Sequence, residues 1–367
     1  MGTITRAFAN NLIERAGPVR PTSKPIIING DMSIAQRGTS VSSITTGGYK
    51  TLDRFNIDIN SAGTWTMSQS TTVPSGQGFA TSLKMDCTTA DASLSASDYL
   101  IVRTLLEGQN LQQLKFGTSS AESLTLSFWV RSNKTGTYAV WFYADVGNKS
   151  FSKTYTIDSA DTWEKKTITI NGDTASSFSN NNSIGLRINW YLASGTTYTS
   201  GTLPTNWQTD SNGDRAVGQV NLADNTANEW YITGVQLEVG EYTSSTLPPF
   251  QHESFGDNLL RCQRYLEFSS DYGADYASGI ASCVIMDMGG AHPIYVPMSY
   301  NVYKRAAPTM TFYNSNSGAT GTWRTNVPED KSISGTSISA QGFSTNSSDL
   351  GGDGRSSSGT WKAESEL

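Results

Sequence analysis

The chain has 367 residues, of which only 16% are charged, and its 26 Lys and Arg against 32 Asp and Glu leave a formal net charge of -6. Phosphate binding needs a clustered excess of cations, and the sequence has no such cluster, so nucleic acid is not an expected partner. No stretch approaches the roughly 18 apolar residues of a membrane-spanning helix, and the start MGTITRAFANN has no apolar signal-peptide core, so neither membrane insertion nor the usual secretory route is expected.

Residues 1–25 read as an N-terminal attachment arm. Ile4, Phe8 and Leu12 stand four apart on one face of about three helical turns, and so short a helix is marginal in water unless that face docks. Two readings stand: an anchor that plugs into a neighbouring protein, or a helix packed on its own domain. Pro18, Pro21 and Pro25 then enforce an extended lead into Ile26.

From 26 to 245 the pattern is strand after strand. Phe55, Ile57 and Ile59 alternate with polar residues, as do Trp65 and Met67, and further rows follow at Leu124, Leu126 and Phe128, at Tyr138, Val140 and Phe142, at Tyr155 and Ile157, at Ile168 and Ile170, and at Leu186, Ile188 and Trp190. Asn133-Lys134-Thr135-Gly136 predicts a hairpin between two of these rows. Asn-Gly-Asp recurs at Asn29, Asn171 and Asn212, where a residue tolerant of positive φ suits a turn. So many short strands predict a two-sheet antiparallel sandwich. The last row, Trp230 to Val239, changes phase once at Gly234, as a bulged strand does.

Residues 246–268 form a connector and a short helix. Leu247-Pro248-Pro249-Phe250 must leave the sheet, since two successive prolines cannot donate to a ladder. Leu259, Leu260, Cys262, Tyr265, Leu266 and Phe268 then fall at helical spacing, with Asp257 expected as the cap and Leu260 and Tyr265 expected against apolar surface. Residues 269–367 read as a second, smaller β domain with strands at 281–288, 294–299 and 310–313. Its Ser/Gly/Asn-rich segments 315–321 and 345–358 are expected to need a subunit interface to order them.

Several of these segments together resemble a family of bacteriophage virion proteins of tail-fibre or tail-tip type. They are Ile28-Asn29-Gly30-Asp31-Met32 through Gln36-Arg37-Gly38, Asp53-Arg54-Phe55, the strand LTLSFWV from Leu124 to Val130, and GVQLEVG followed by a Pro-Phe and SFGDNLLRCQRYLEF. The resemblance covers residues 26–268, with an insertion at 197–220. It implies a carbohydrate-binding-like jelly roll for the sandwich and a homotrimer with its C-terminal strands interleaved; in the anchor reading of the arm, other virion proteins are its partners. It also implies a place in the virion after assembly in the host bacterial cytoplasm. That reducing compartment suits three cysteines, Cys87, Cys262 and Cys283, which cannot all pair and have no zinc spacing.

The binding chemistry expected in the sandwich is aromatic. Trp190, Tyr191, Tyr198 and Trp207 cluster near the insertion, and rings stacked on a sugar with Asn and Asp on its hydroxyls would hold a host surface glycan. Packing competes with that reading, most directly at Trp190, which continues a strand row; Trp207, in a polar stretch, is the preferred contact. No catalytic residue is assigned. Asp86 with Asp91 and Asp158 with Asp161 sit in turn-like contexts, and the two histidines, His252 and His292, lie away from any nucleophile turn. Asp210 and Asp214 lack the full pattern of a calcium loop, so neither a metal nor a cofactor is expected. The sequence therefore reads as a non-enzymatic virion protein involved in host attachment. A capsid-side fibre or decoration protein is the alternative, and a polysaccharide-degrading tailspike is a third reading, disfavoured because no long parallel repeat is present.

Overall fold

The computed structural model describes residues 24–274, 283–286, 294–347 and 355–367, and its backbone separates into two units. Of the described residues, the first holds those up to Ser33, Ser40–Lys50 and Phe55–Glu253; the second holds Ile34–Thr39, Thr51–Arg54 and those from Ser254 on. The arm residues Ile4, Phe8 and Leu12, and His292, lie outside the described residues. Two short early segments, expected in the sandwich, thus belong to the second unit. They carry Arg37, Asp53 and Arg54, and charge holds them there: Arg37 Nη2 donates to Glu364 at 2.7 Å and to Glu366 at 3.0 Å, and Arg54 pairs with Glu366.

The first unit runs β1 (Ser40–Ile44), β2 (Gly48–Tyr49), β3 (Phe55–Asn60), β4 (Thr64–Ser70), β5 (Ser82–Thr89), β6 (Tyr99–Glu107), β7 (Leu124–Ser132), β8 (Gly136–Ala144), β9 (Lys149–Ile157), β10 (Glu164–Ile170), β11 (Ile184–Ser194), the single helical turn α1 (Thr196–Thr199), β12 (Gln208–Thr209) and β13 (Glu229–Val239). These strands form an antiparallel jelly-roll sandwich. One sheet has six strands in the order β1-β4-β5-β13-β7-β10, and the other has seven in the order β12-β9-β8-β11-β6-β3-β2. The alternation read from the sequence turns one side chain in two inward, and rings from both sheets meet: Phe128 of β7 stands 5.8 Å from Trp190 of β11 and 5.1 Å from Tyr155 of β9.

Two local expectations fail for identifiable reasons. Residues 133–136 make no hairpin, because β7 and β8 lie in different sheets; the Asn133 side chain accepts from Glu229 N at 2.9 Å and donates to Asn228 at 3.1 Å, tying the turn to β13 and its approach. Of the three Asn-Gly-Asp sites, only Asn29 takes a positive φ, 59°; Asn212–Asp214 is a turn of 3-10 helix. Gly234 does mark a bulge, at φ 61° and with the register shifting between Thr233 and Gln236. Gly30 packs on that bulge: Val235 N donates to its carbonyl at 2.8 Å, and a Cβ on Gly30 would fall 2.1 Å from Val235 O.

The second unit runs α2 (Phe255–Gln263), β14 (Leu266–Phe268), β15 (Cys283–Met286), β16 (Ile294–Ser299), β17 (Thr309–Asn314), β18 (Thr322–Thr325), β19 (Asp330–Thr336), β20 (Gly342–Ser347) and β21 (Ser356–Glu364). Ser254, not Asp257, caps the helix: its Oγ accepts from Asp257 N at 3.1 Å and donates to the Asp257 carboxylate at 2.6 Å, a reciprocal box that puts the acid one turn in. The helix stops at Gln263, so Leu266 and Phe268 belong to a strand paired with β21. Cys262 and Tyr265 are buried, but Leu260 is 46% exposed, against the expectation that it faces apolar surface. Of the polar segment 345–358, 348–354 lie outside the described residues, while its last residues enter β21, which pairs with β14, β15, β17 and β18. Within 315–321, Asn314 Oδ1 likewise accepts from Asn316 N and Ser317 N. This unit encloses Phe312, Trp323, Phe343 and Trp361 together with a buried ion pair, Lys304 with Glu267.

Candidate functional site: the outer face of the seven-stranded sheet

Because side chains alternate across a strand, the residues one position out of phase with the core form a second row on the outer face. On β8 that row is Ala139, Trp141 and Tyr143; on β11 it is Arg187, Asn189 and Tyr191; on β6 it is Tyr99, Ile101 and Arg103. The register sets Asn189 directly opposite Trp141 on one side and Arg103 on the other, and Tyr191 opposite Ile101. The row continues at Asn56 and Asp58 on β3. An outward row this aromatic is unusual for a half-solvated sheet, where polar residues would serve.

The segment after β11 adds to this face. Tyr198 of α1 lies 6.3 Å from the Tyr191 ring and 5.4 Å, edge-on, from Tyr99. Arg215 sets its guanidinium 4.4 Å over Trp141 and 5.9 Å from Tyr198. Arg187 lies 5.4 Å over Tyr143, itself 5.2 Å from Trp141. The result has two levels: Tyr99, Tyr143 and Tyr198 are half-buried, while Trp141 and Tyr191 beneath them are 8% and 1% exposed.

Each arginine of the face is matched by a carboxylate. Arg187 grips Asp145 with two bonds, at 3.1 and 2.6 Å. Arg103 donates to Asp58 at 2.5 Å and to Asn56 at 2.8 Å, and Asp58 also accepts from the Tyr99 hydroxyl at 3.2 Å. Arg215 pairs with Asp210 through Nε at 3.2 and 3.1 Å. Burial, aided by Asp58, pushes the Tyr99 phenol up to about 12; burial first, with Asp145 and Asp210 adding to it, pushes Tyr143 upward, and burial, against Arg215, does the same for Tyr191. These hydroxyls therefore stay protonated through the physiological range. Burial works against the Arg215 charge, but Asp210 more than offsets it.

Among the described residues, two polar atoms under this face find no partner. Asn189 is 0% exposed; its Nδ2 donates to the Trp141 carbonyl at 2.9 Å, and its Oδ1 accepts nothing. Trp141 Nε1 is likewise buried and donates to nothing.

Of the aromatic residues proposed from the sequence, the structure brings Tyr191 and Tyr198 into this face and leaves two out. Trp190 is 0% exposed on the inner face, between Phe55 and Phe128, so its place is in the core. Trp207 is half-buried and committed elsewhere: its Nε1 donates to the Asn171 carbonyl at 2.7 Å, and its ring meets Phe116 and Phe151 edge-on at 5.6 and 6.0 Å. The polar stretch that carries it includes β12, paired with β9. Trp141, Tyr143, Tyr99 and the three arginines were missed; the signal was present in TYAVWFYA, where the positions alternating with the core row are aromatic too.

The carboxylates weighed for catalysis are engaged singly. Asp86 lies 3.2 Å from Lys84, Asp91 accepts from Ser93 N at 3.1 Å, Asp158 meets Lys166 at 3.2 Å, and Asp161 meets Arg131 at 2.8 Å. Asp214 accepts from Thr202 N and from Gln208 Nε2, both at 2.8 Å. His252 is packed between Phe79 and Phe250. Among the described residues no three His, Cys, Asp or Glu side chains converge as a metal site. Separately, the second unit holds a cavity of about 280 Å³ beside Leu259, Gln263, Phe268 and Tyr272, where Arg37 is already gripped by Glu364 and Glu366.

No protein-family model and no curated protein matches the sequence. Among solved structures, the chain is similar to the enzymatically active domain of bacteriophage CBA120 tailspike protein 4, at 12% identity and a TM-score of 0.31, covering 59% of this chain and 21% of that one. It therefore spans about a fifth of that tailspike chain's length. It is also similar to a candidate sugar-binding protein from Bacteroides thetaiotaomicron, at 14% identity and a TM-score of 0.30, covering 59% of this chain and 100% of that one. A third likeness is to TmCBM61 in complex with β-1,4-galactotriose, at 12% identity and a TM-score of 0.29, covering 59% of this chain and 99% of that one.

Proposed function

We propose that this protein is a non-enzymatic, glycan-binding component of a bacteriophage particle, a tail-fibre or tail-tip protein that holds the particle to a host surface saccharide. The observation that carries the reading is the convergence, on the outer face of the seven-stranded sheet, of Tyr99, Tyr143 and Tyr198 above Trp141 and Tyr191 with three arginine–carboxylate pairs. A pyranose ring offers an apolar C–H patch to an aromatic face and a rim of hydroxyls to fixed donors and acceptors, and this surface supplies both. Its acids are each paired with an arginine, a fixed arrangement that suits hydrogen bonding better than the proton transfer a glycosidase needs. The virion setting is supported by the sequence resemblance of the INGD to QRG opening and the GVQLEVG junction to phage proteins.

In the same reading the chain works as a homotrimer. Phe255, Leu260 and Tyr303 of the second unit are 51%, 46% and 61% exposed and supply apolar surface for a contact between copies. Binding of labelled protein to intact bacteria and to their purified surface polysaccharide tests the glycan reading: Tyr143→Ala and Arg187→Ala should each weaken it about tenfold or more while the fold persists. Normal binding by both variants overturns it, and release of reducing sugar would overturn the non-enzymatic part. Light scattering should give a mass near three times the chain mass, and gold labelling of particles should mark the tail; label on the shell would instead indicate a decoration protein.

A further inference from the structure

We infer that the cavity of the second unit is a separate binding pocket for one neutral sugar ring, with Phe268 and Tyr272 against the ring's C–H face and Gln263, Ser270 and Asp271 on its hydroxyls. The pocket shares no residue with the outer face of the seven-stranded sheet, so the inference goes beyond the reading given for that face.

The first argument is space and rigidity. The cavity measures about 280 Å³, near the lower end of the roughly 300–1,000 Å³ of small-molecule pockets, which suits one ring and not a chain. A larger cleft of about 640 Å³ shares the wall from Phe268 to Tyr272 and continues along Met298 and Trp361, so the rest of a saccharide chain has a way out. The shared wall is fixed at both ends. Ser269 N donates to the Trp361 carbonyl at 3.0 Å, and Ser269 Oγ accepts from Trp361 N at 2.8 Å. The Tyr272 hydroxyl accepts from Ala35 N at 2.8 Å, and Phe255 meets the Tyr272 ring edge-on at 5.1 Å. Tyr272 is therefore held in place although it is 41% exposed, and a ring held in advance costs little entropy when a ligand stacks on it.

The second argument is the polar groups that line the cavity. Among the described residues, the side chains of Gln263, Ser270 and Asp271 make no hydrogen bond within the chain, and none of them is sealed from solvent. Each is open to a ligand. Together they offer an amide that donates and accepts, a hydroxyl that does both, and a carboxylate that accepts, which is the set a rim of sugar hydroxyls can satisfy. The aromatic walls take the other half of such a ring, its C–H patch. A wholly apolar ligand would displace water from these three groups and return no hydrogen bond, at a cost for each. An anion fares no better: Asp271 opposes its charge, and Arg37, the cation of the wall, is already gripped by Glu364 and Glu366. A neutral, hydroxyl-bearing ring meets none of these costs.

The test is saturation-transfer NMR on the full chain with the methyl glycosides of glucose, galactose, mannose, rhamnose and N-acetylglucosamine, and with methyl glucuronide as the anion, followed by calorimetric titration. At least one neutral glycoside should bind, and the glucuronide should not. Asp271→Ala and Gln263→Ala remove side chains that bond to nothing in the fold, so each should leave the thermal midpoint in place and weaken the neutral glycoside about tenfold. A purely structural role for either residue predicts no such loss. Weakening in these two variants but not in Tyr143→Ala places the sugar ring in the pocket. Weakening in Tyr143→Ala alone places it on the sheet face, which overturns the inference and upholds the glycan reading. Unchanged affinity in both pocket variants overturns the inference, as does equal binding of the glucuronide. Binding of no neutral glycoside overturns it too, while normal polysaccharide binding by Tyr143→Ala is the separate result that overturns the reading of the sheet face.

Discussion

The inner and outer faces of the seven-stranded sheet come from the same strands, one residue out of phase, and both are rich in buried aromatic side chains. The inner face carries Tyr138, Val140, Phe142, Leu186, Ile188 and Trp190; the outer carries Trp141, Tyr143, Arg187, Asn189 and Tyr191. Burial does not separate them, since Asn189 and Tyr191 are as withdrawn from solvent as Phe142. What separates them is company. Inner rings meet other rings from the opposite sheet, whereas outer rings lie under guanidinium groups tied to carboxylates. The first arrangement contributes stability through packing; the second holds polar groups in fixed geometry at a surface, which is a property of a binding site.

Substitutions can break that comparison at graded strength. Trp190→Ala should be the most damaging, costing about 3–5 kcal/mol because a fully buried ring leaves a cavity between the sheets; urea unfolding measures it, and a loss under about 1 kcal/mol would mean the inner face is not the core. Trp207→Ala comes next. Its ring is half-buried on Phe116 and Phe151, so about 1–3 kcal/mol of stability should go while saccharide binding is unchanged, the reverse of what its polar sequence context implies.

Tyr143→Ala should show the opposite balance. Saccharide affinity by calorimetry should fall about tenfold or more, with the unfolding midpoint shifted by less than Trp207→Ala shifts it, because the ring sits at the surface of the outer face. The smallest effect belongs to Leu260→Asp, off the sheet altogether on α2. Since Leu260 is 46% exposed in the single chain, the stability of the chain itself should move by no more than about 0.5 kcal/mol while the mass by light scattering falls from trimer to monomer, and a trimer that persists would take Leu260 out of the contact between copies.

Much of the sandwich was legible because a strand with one face in the core writes its period into the sequence. The rows Phe55 to Ile59, Leu124 to Phe128 and Leu186 to Trp190 each became a strand with the expected side inward, and the phase change at Gly234 became a bulge. Spacing on the chain served the site less well. Trp190, Tyr191, Tyr198 and Trp207 are near neighbours in sequence, yet alternation sends Trp190 and Tyr191 to opposite faces, and the loop carries Trp207 to a different aromatic cluster.

By itself the sequence determined which side chains share a face of each strand, since the two-residue period is local and needs no partner. Which strands become neighbours was decided only by the tertiary structure. The turn at 133–136 carries the chain from one sheet to the other because Asn133 bonds to Asn228 and Glu229, close to a hundred residues away. Trp141, Asn189 and Arg103 become a row only once β8, β11 and β6 lie side by side. Ile34–Thr39 and Thr51–Arg54 leave the sandwich because their arginines find Glu364 and Glu366 more than three hundred residues on. Contacts at such separation leave no periodic trace in a single chain, because their free energy depends on positions that the fold alone brings together.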